Sequence, residues 1–244
     1  MRTVISLPEA TAPQFADIPA PSPAPGEILI RTVAAGVNPV DLFVSSGAGR
    51  SLFGLEGPVG LGWDVAGIVE AVGSDVDGFT PGDSVAALHT RVDAPIGTHA
   101  ELIAVPAGAA APVPAGMDPV QAASVPLNSL TADQALRTLA RLLEEEVQGR
   151  RLLVTGAAGG VGGYALDLAR EAGWEVEGLA RDTDAEYIAS TGARLVTLIE
   201  PGRYDAVLDA AYLRDEALAG LRDGGALVGL IDRWRDDLPD SIRA

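Results

Sequence analysis

The sequence predicts an α/β protein with two parts, a β-rich N-terminal part and a C-terminal part built on a parallel sheet. Three observations lead to this fold class. Residues 1–122 contain short apolar runs that Pro and Gly separate, and from residue 123 onward apolar strands alternate with helical stretches. Within that alternation, Arg151–Gly163 reads R-R-L-L-V-T-G-A-A-G-G-V-G, a strand that passes through a glycine-rich loop into a helix. We therefore predict two domains, 1–122 and 123–244.

The N-terminal part is expected to form a compact, irregular barrel of short strands. Its stretch P-A-P-S-P-A-P-G at Pro19–Gly26 leads directly into an apolar run, so we interpret it as an ordered surface loop rather than a linker. The predicted strands are Thr3–Ser6, Glu27–Ala34, Asp64–Val72, Ser84–Leu88 and Ala100–Val105.

The C-terminal part is predicted to be a doubly wound parallel sheet with helices on both faces. It begins with a helix whose apolar residues recur at intervals of three and four between a cap at Ser129 and a stop at Gly149. The strands predicted after it are Leu152–Thr155, Glu175–Ala180, Arg194–Leu198, Asp205–Asp209 and Ala226–Ile231. The helices predicted between them are Gly160–Ala172, Asp184–Ser190 and Arg214–Leu221.

The glycine-rich loop has the features of a phosphate-binding turn. Free N–H groups at a helix start, the positive end of its dipole and the lack of side chains let a pyrophosphate approach the backbone. The predicted dinucleotide-binding residues of the loop are Gly156, Ala157, Ala158, Gly159, Gly160, Val161 and Gly162. Ligands of such sheets bind at the carboxyl ends of the strands, which adds Asp209, Ala210, Gly229, Leu230 and Ile231.

The type of dinucleotide is expected to depend on the residue that follows the second strand. NAD-binding proteins place an acidic side chain there to accept the ribose hydroxyls, whereas this chain has Ala180 and then Arg181. A guanidinium can bind a 2′-phosphate through two hydrogen bonds, so the pair favours NADP. Asp182 and Asp184 are close enough to take the ribose role if the strand ends later.

Composition excludes several other classes of protein. The 17 basic residues are all arginine, and without lysine neither a P-loop, nor a pyridoxal Schiff base, nor the Tyr-x-x-x-Lys pair of short-chain dehydrogenases can form. A net charge of −17 disfavours nucleic acid and anionic lipid as partners. No apolar run is long enough to span a bilayer and no signal peptide is visible, so we expect a soluble, cytoplasmic protein that acts on a small molecule.

Six ordered blocks of the chain resemble the zinc-free quinone oxidoreductase branch of the medium-chain dehydrogenase/reductases. The blocks are Gly36–Asp41, Gly62–Gly73, Gly78–Val85, Gly97–Leu102, Ala122–Ala132 and Gly156–Gly162. The resemblance implies a GroES-like β-barrel domain, a Rossmann domain, and hydride transfer from NADPH to a quinone or another electron-poor double bond in the cleft between them.

The resemblance also implies which residues act. Asn38, Asp41 and Thr131 are expected near the nicotinamide and the substrate, although Asn38 and Asp41 are equally well explained as the cap and first turn of a helix that starts at Pro39. Zinc-dependent relatives have cysteine at the position of Asn38 and G-H-E at the position of Gly62–Asp64. This chain has no cysteine, so no metal site is expected.

Two departures from the family pattern leave the activity open. About six residues separate the third strand from the fourth, too few for a helical crossover, so the third strand should be short, displaced or missing. Relatives also continue with a sixth strand and a segment that returns to the catalytic domain, and that strand commonly forms a homodimer contact. The alternatives to an NADPH-dependent reductase are therefore a non-catalytic NADPH-binding regulator and a repurposed protein with non-redox activity in a biosynthetic pathway.

Overall fold

The computed structural model describes residues 1–10, 12–144, 146–230 and 242. The chain divides into two compact units, Met1–Leu127 and Asn128–Ala244. The first unit extends past the predicted limit at residue 122, because Ala123 packs with Ala66 and the N–H of Leu127 donates to Asp64.

Where the structure describes it, the first unit contains two antiparallel sheets and three short α-helices. Its strands are β1 Arg2–Ser6, β2 Gln14–Asp17, β3 Glu27–Ala35, β4 Val59–Gly60, β5 Asp64–Val72, β6 Ser84–Leu88, β7 Leu102–Pro106 and β8 Ala110–Pro112. Its helices are α1 Pro39–Ser45, α2 Gly47–Phe53 and α3 Pro119–Ala122. The strand order is β2-β1-β4 in one sheet and β7-β3-β5-β6-β8 in the other.

The core of the first unit lies on the larger sheet. Alternate residues of β3 and β5, such as Ile28, Ile30, Val65 and Val69, are fully buried there with apolar residues of β6 and β7. The five strands predicted in this half are confirmed, except that β7 begins at Leu102 because Ala100 instead forms an isolated bridge with Thr3. The sequence did not predict β2, β4 and β8, which are only two to four residues long.

In its described residues, the second unit is a five-stranded parallel sheet with four α-helices. Its strands are β9 Arg151–Thr155, β10 Glu175–Leu179, β11 Arg194–Val196, β12 Tyr204–Asp209 and β13 Leu221–Gly229. Its helices are α4 Pro126–Leu143, whose first two residues belong to the first unit, α5 Gly160–Glu171, α6 Ala185–Ser190 and α7 Asp215–Ala219. The strand order is β11-β10-β9-β12-β13. The sheet therefore grows outward from β9 on one side through β10 and β11, and on the other side through β12 and β13. This change of direction beside β9 is a switch point, where open α/β sheets bind ligands.

The first helix of the second unit differs from its prediction at both ends. The helix starts at Pro126, so Ser129 lies within its first turn and not at its cap. The N–H of Leu127 donates to the Asp64 carboxylate at 2.7 Å. It ends at Leu143, after which Glu144 adopts a left-handed conformation, so Gly149 does not end it. The predicted start was wrong because a tertiary contact holds the first turn, and the predicted end was wrong because the left-handed turn at Glu144 precedes Gly149.

The two faces of the parallel sheet are covered differently. One face packs against α4, α5 and α6 through residues such as Leu139, Leu166 and Ile188. The other face carries α7, and residues 197–203 between β11 and β12 contain no helix, as the short connection predicted. The third strand is indeed short, with three residues.

A polar cluster lies on the face of the sheet where residues 197–203 contain no helix. Glu177 of β10 is buried, and its carboxylate accepts hydrogen bonds from Arg203 at 2.6 Å, Arg194 at 3.2 Å and the Tyr204 hydroxyl at 2.8 Å. Burial, together with the bond to Glu177, raises the pKa of Tyr204. A buried carboxylate needs such partners. The paired side chains cover the part of the sheet that a helix in the connection would cover.

Candidate functional site

The glycine-rich loop lies at the switch point of the parallel sheet. The chain leaves β9 at Thr155 and turns at Gly156, whose φ of +60° is left-handed and favours glycine. The turn is closed by a hydrogen bond from Gly159 N–H to Gly156 O at 2.8 Å, and the first bond of α5 runs from Gly163 N–H to Gly159 O. The N–H groups of residues 160–162 therefore have no acceptor within the helix.

Two of the glycines are closely packed, Gly162 against backbone and Gly160 against the side chain of Asn128. A Cβ on Gly162 would overlap Gly156 O and lie 2.8 Å from Ala157 Cα, so α5 approaches the loop at backbone contact distance. A Cβ on Gly160 would lie 2.6 Å from Oδ1 of Asn128, a residue that the sequence argument did not assign to the site. The helix start is thus fixed against its own strand without any bulky side chain.

The outer surface of the loop fits a dinucleotide diphosphate. Ala158, Gly159 and Gly160 are exposed, whereas Ala157 and Gly162 are buried beneath them. The exposed turn therefore presents backbone N–H groups and the positive end of α5 to solvent, which is the arrangement that binds phosphate oxygens. We call residues 156–162 the phosphate loop.

The other predicted cofactor residues lie at the same edge of the sheet. Ala157 N–H donates to Leu179 O, directly before Ala180, and Leu230 N–H donates to Asp209 O at 3.4 Å. Ala210 borders Gly156, because a Cβ on that glycine would lie 3.3 Å from its carbonyl carbon. Gly229 ends β13, and Ile231 lies outside the described residues. The structure thus brings the described members of the predicted set to one edge.

Asp209 has a structural task at this edge. One carboxylate oxygen accepts from the Thr155 hydroxyl at 2.6 Å and from Leu213 N–H at 3.1 Å, and the other accepts from Arg214 N–H at 2.9 Å. Thr155 in turn accepts from Ala211 N–H. The carboxylate therefore shapes the loop after β12 and ties it to β9, beside the phosphate loop.

Arg181 is exposed but has a partner. Its Nε lies 3.0 Å from an oxygen of Asp184, one turn further along the chain. An exposed ion pair of this kind is weak, because water and salt screen both charges. The guanidinium can consequently exchange this carboxylate for another anion.

Asn38 and Asp41 form a buried cluster in the first unit. Asn38 caps α1 through its backbone, and one Asp41 oxygen accepts from Asn38 N–H at 2.7 Å while the other accepts from Gly62 N–H at 2.9 Å. The amide of the Asn38 side chain donates to Asp64 at 2.8 Å. The capping interpretation is therefore confirmed for the Asp41 side chain and for the backbone of Asn38.

Asp64, which the sequence argument did not single out, organises this cluster. It is fully buried at the start of β5, and its two oxygens accept from the Asn38 amide and from Leu127 N–H. Burial raises the pKa of Asp64, and the nearby Asp41 acts in the same direction, whereas the two hydrogen bonds lower it. The carboxylate thus fixes the orientation of the Asn38 side chain.

The remaining predicted site residue belongs to the second unit. Thr131 is half-buried in the second turn of α4. Within the described ranges, no three His, Asp or Glu side chains come together to hold a metal ion, and no helix is long and apolar enough to cross a membrane.

Several curated proteins with related sequences are named as oxidoreductases. The chain is 33% identical over 203 residues to the mitochondrial NAD(P)H oxidoreductase RTN4IP1 of Mus musculus, covering 78% of this chain and 51% of the relative. It is 34% identical to a chloroplastic NADPH-dependent alkenal/one oxidoreductase of Arabidopsis thaliana, with 84% and 55% covered. A chloroplastic quinone-oxidoreductase homolog of Spinacia oleracea is 31% identical, with 80% and 62% covered. The chain thus spans about half the length of the first of these relatives.

Family models and solved structures agree on the fold. Residues 24–115 match the alcohol dehydrogenase GroES-like domain. An alcohol dehydrogenase superfamily protein from Novosphingobium aromaticivorans superposes with a TM-score of 0.82 at 30% identity, covering 94% of this chain and 72% of that one. Mycobacterial Rv1454c complexed with NADPH has a TM-score of 0.77 at 29% identity, with 93% and 73% covered. The fold class is therefore as predicted, a GroES-like domain followed by a Rossmann sheet, and the chain belongs to the alcohol dehydrogenase superfamily, the medium-chain dehydrogenase/reductases.

Proposed function

We propose that this protein is an NADPH-dependent oxidoreductase that transfers hydride to a quinone or an α,β-unsaturated carbonyl without zinc. The observation that carries the proposal is the phosphate loop at the switch point of the sheet, with exposed backbone N–H groups and with glycines where side chains would collide. The NADPH-dependent relative from Arabidopsis thaliana and the similar structure of Rv1454c complexed with NADPH support the same cofactor.

The chain offers separate groups for the parts of the cofactor. The N–H groups of residues 160–162 would bind the diphosphate, and Arg181 would bind the 2′-phosphate after leaving Asp184. Ala180 is small and neutral, so it neither blocks nor repels that phosphate. Bound NADPH would supply the hydride, and the protein would hold the electron-poor carbon of the substrate in reach of it.

The proposal of zinc-free chemistry rests on the side chains that this chain has at the zinc-ligand positions of its zinc-dependent relatives. The chain has no cysteine, and Asn38 uses its amide to bind Asp64. Trp63 and Asp64 stand where zinc-dependent relatives carry a histidine and a glutamate, and an indole is no ligand for zinc. The Asn38 amide is the group of the first unit that we assign to the substrate carbonyl, as a hydrogen-bond donor to its developing negative charge.

The test is NADPH oxidation by the purified protein with menadione and with cyclohexenone, each with and without a metal chelator. We expect turnover that the chelator leaves unchanged, and more than tenfold slower turnover with NADH. Arg181→Ala should reduce the preference for NADPH, whereas Arg137→Ala, which removes an equally exposed arginine from an ion pair on α4, should not. Turnover that the chelator abolishes would overturn the zinc-free proposal.

A second candidate is an NADPH-binding protein without turnover. It is favoured by the buried cluster, where the Asp41 carboxylate and the Asn38 amide already bind partners within the first unit. NADPH binding without oxidation by any quinone or enone would support this candidate against the reductase.

A further inference from the structure

The loop after β12 carries an arginine stacked on a tyrosine, at the edge of the sheet where the phosphate loop lies. Residues 210–214 read A-A-Y-L-R and connect β12 to α7. The guanidinium carbon of Arg214 lies 3.9 Å from the centroid of the Tyr212 ring, and both residues are exposed. The sequence argument assigned neither residue to the site, and the function proposed above gives neither a task.

This loop lies directly against the phosphate loop. A Cβ on Gly156 would lie 3.2 Å from the Cβ of Ala211, and Ala211 N–H donates to the Thr155 hydroxyl at 2.9 Å. Tyr212 is the next residue along the chain, and consecutive Cα atoms are about 3.8 Å apart. The charge of Arg214, which is held over the Tyr212 ring, therefore lies at the border of the phosphate loop.

The backbone of this loop is held in conformations that its residues disfavour. Tyr212 has a φ of +60°, and Arg214 has a φ of +54° with a ψ of −114°, values that favour glycine. Such residues cost about 1–3 kcal/mol each, persist where surrounding bonds fix them, and cluster at functional sites. Here the Asp209 carboxylate supplies those bonds, because it accepts from Leu213 N–H and Arg214 N–H. The loop is therefore fixed in the shape that stacks the guanidinium on the ring.

The guanidinium of Arg214 has no carboxylate partner within the ranges that the structure describes. Carboxylates are abundant in this chain, with 34 acidic against 17 basic residues, and Arg181 on the other side of β9 is paired with Asp184. A guanidinium that stacks on an aromatic ring keeps its N–H groups available to an anion at the edge of its own plane. Arg214 is thus an available cation beside a backbone anion site.

The place of this pair in the sheet decides which part of a dinucleotide it meets. A Rossmann sheet has two halves, one on each side of the switch point, and each half binds one mononucleotide. Arg181 follows β10 in the half assigned to the adenosine 2′-phosphate, whereas Arg214 follows β12 in the other half. We propose that Arg214 binds the phosphate on the nicotinamide side of the NADPH diphosphate and that Tyr212 holds the guanidinium in place. This inference rests on the proposed function and extends its site to the loop after β12.

The test is calorimetric titration of the full chain with NADP⁺ and with 2′,5′-ADP, which lacks the nicotinamide ribose and its phosphate. Arg214→Gln should weaken NADP⁺ about tenfold and 2′,5′-ADP less than about twofold, because it removes a charge-assisted hydrogen bond to one phosphate only. Arg214→Lys keeps the charge and should retain most of the affinity for NADP⁺. Arg137→Gln on α4 is the control and should change neither affinity.

The outcomes separate this inference from the function on which it rests. If the wild type and Arg214→Gln bind NADP⁺ equally well, the role of Arg214 is overturned while the cofactor proposal stands. Equal weakening of NADP⁺ and 2′,5′-ADP by Arg214→Gln would also overturn it, because the guanidinium would then act on the adenosine half. A wild type that binds no NADP⁺ would overturn both proposals.

A glycine variant distinguishes a ligand contact from a merely structural role. Arg214→Gly removes the guanidinium and places a residue at this left-handed position that adopts it without strain. The thermal midpoint should change little, because the relief of strain offsets the greater freedom of glycine in the unfolded chain. NADP⁺ should weaken as much as in Arg214→Gln. A lower midpoint with unchanged NADP⁺ binding would show that Arg214 serves the fold alone and would overturn the proposal.

Discussion

The phosphate loop and the Asn38–Asp41–Asp64 cluster use polar groups in opposite ways. The loop exposes backbone N–H groups that the helix cannot satisfy, on a turn whose exposed residues are Ala158, Gly159 and Gly160. The cluster buries its carboxylates and commits them to backbone and amide donors of the first unit. Changes in the loop should therefore affect ligand binding, and changes in the cluster should mainly affect stability.

The largest effect is expected for Asp41→Ala. The change leaves the N–H groups of Asn38 and Gly62 buried without an acceptor, so the free energy of unfolding should fall by about 3 kcal/mol. Urea unfolding measures it. Asp83→Ala is the control, because that carboxylate accepts from Thr80 N–H with the same spacing in an exposed turn, and it should cost about 1 kcal/mol. Equal losses of unfolding free energy in the two variants would contradict the structural role of the buried cluster.

A loss of both stability and binding is expected for Gly162→Ala. The added methyl would overlap Gly156 O and force α5 away from the loop, at a cost of about 1–3 kcal/mol. NADP⁺ affinity should fall with it, which calorimetry can follow. Gly108→Ala places the same methyl in open space and should change stability by less than about 0.5 kcal/mol. Unchanged NADP⁺ binding in Gly162→Ala would count against the phosphate loop.

Acid should destabilise the first unit through His89. Burial lowers the pKa of this histidine, and the nearby Arg91 lowers it further, so the folded state disfavours the proton that the unfolded chain accepts near pH 6.5. The stability that its neutral form contributes is complete above that pH and is lost as the pH falls through the folded pKa. Unfolding free energies between pH 8 and pH 5 should fall less steeply for His89→Gln, and parallel curves would contradict the assignment.

The smallest effect is expected for Asp184→Asn. Losing the exposed ion pair should change stability by less than about 1 kcal/mol, while freeing Arg181 should tighten NADPH binding a few-fold relative to NADH. Competition titrations with the two reduced cofactors measure the ratio. If the variant instead weakens NADH selectively, Asp184 takes the ribose role that the sequence left open.

Local sequence predicted the elements whose causes are local. The phosphate loop followed from glycines between an apolar strand and a helix, and the short third strand followed from the brief connection before β12. The limits of α4 could not be predicted in this way, because Asp64 holds its first turn from 63 residues away in the chain.

Local sequence patterns also did not predict which side chains bond to each other within the sites. Thr155 and Asp209 are 54 residues apart and meet because their strands are neighbours that end at the same edge. The sequence could have indicated this pair, since both residues end predicted strands of one parallel sheet. Asp64 gave no such signal, because a carboxylate at a strand start is ordinarily exposed, and only the fold shows that it binds Asn38.

The most direct test of the account is calorimetric titration of NADP⁺ into the wild-type chain, Ala158→Asp and Ala189→Asp. Both alanines are exposed, but Ala158 lies on the phosphate loop and Ala189 on α6. A carboxylate beside the diphosphate should weaken NADP⁺ by at least about tenfold, roughly 1.4 kcal/mol, whereas the α6 variant should bind like wild type. Equal affinities for all three proteins, or no binding by the wild type, would contradict the assignment of the phosphate loop.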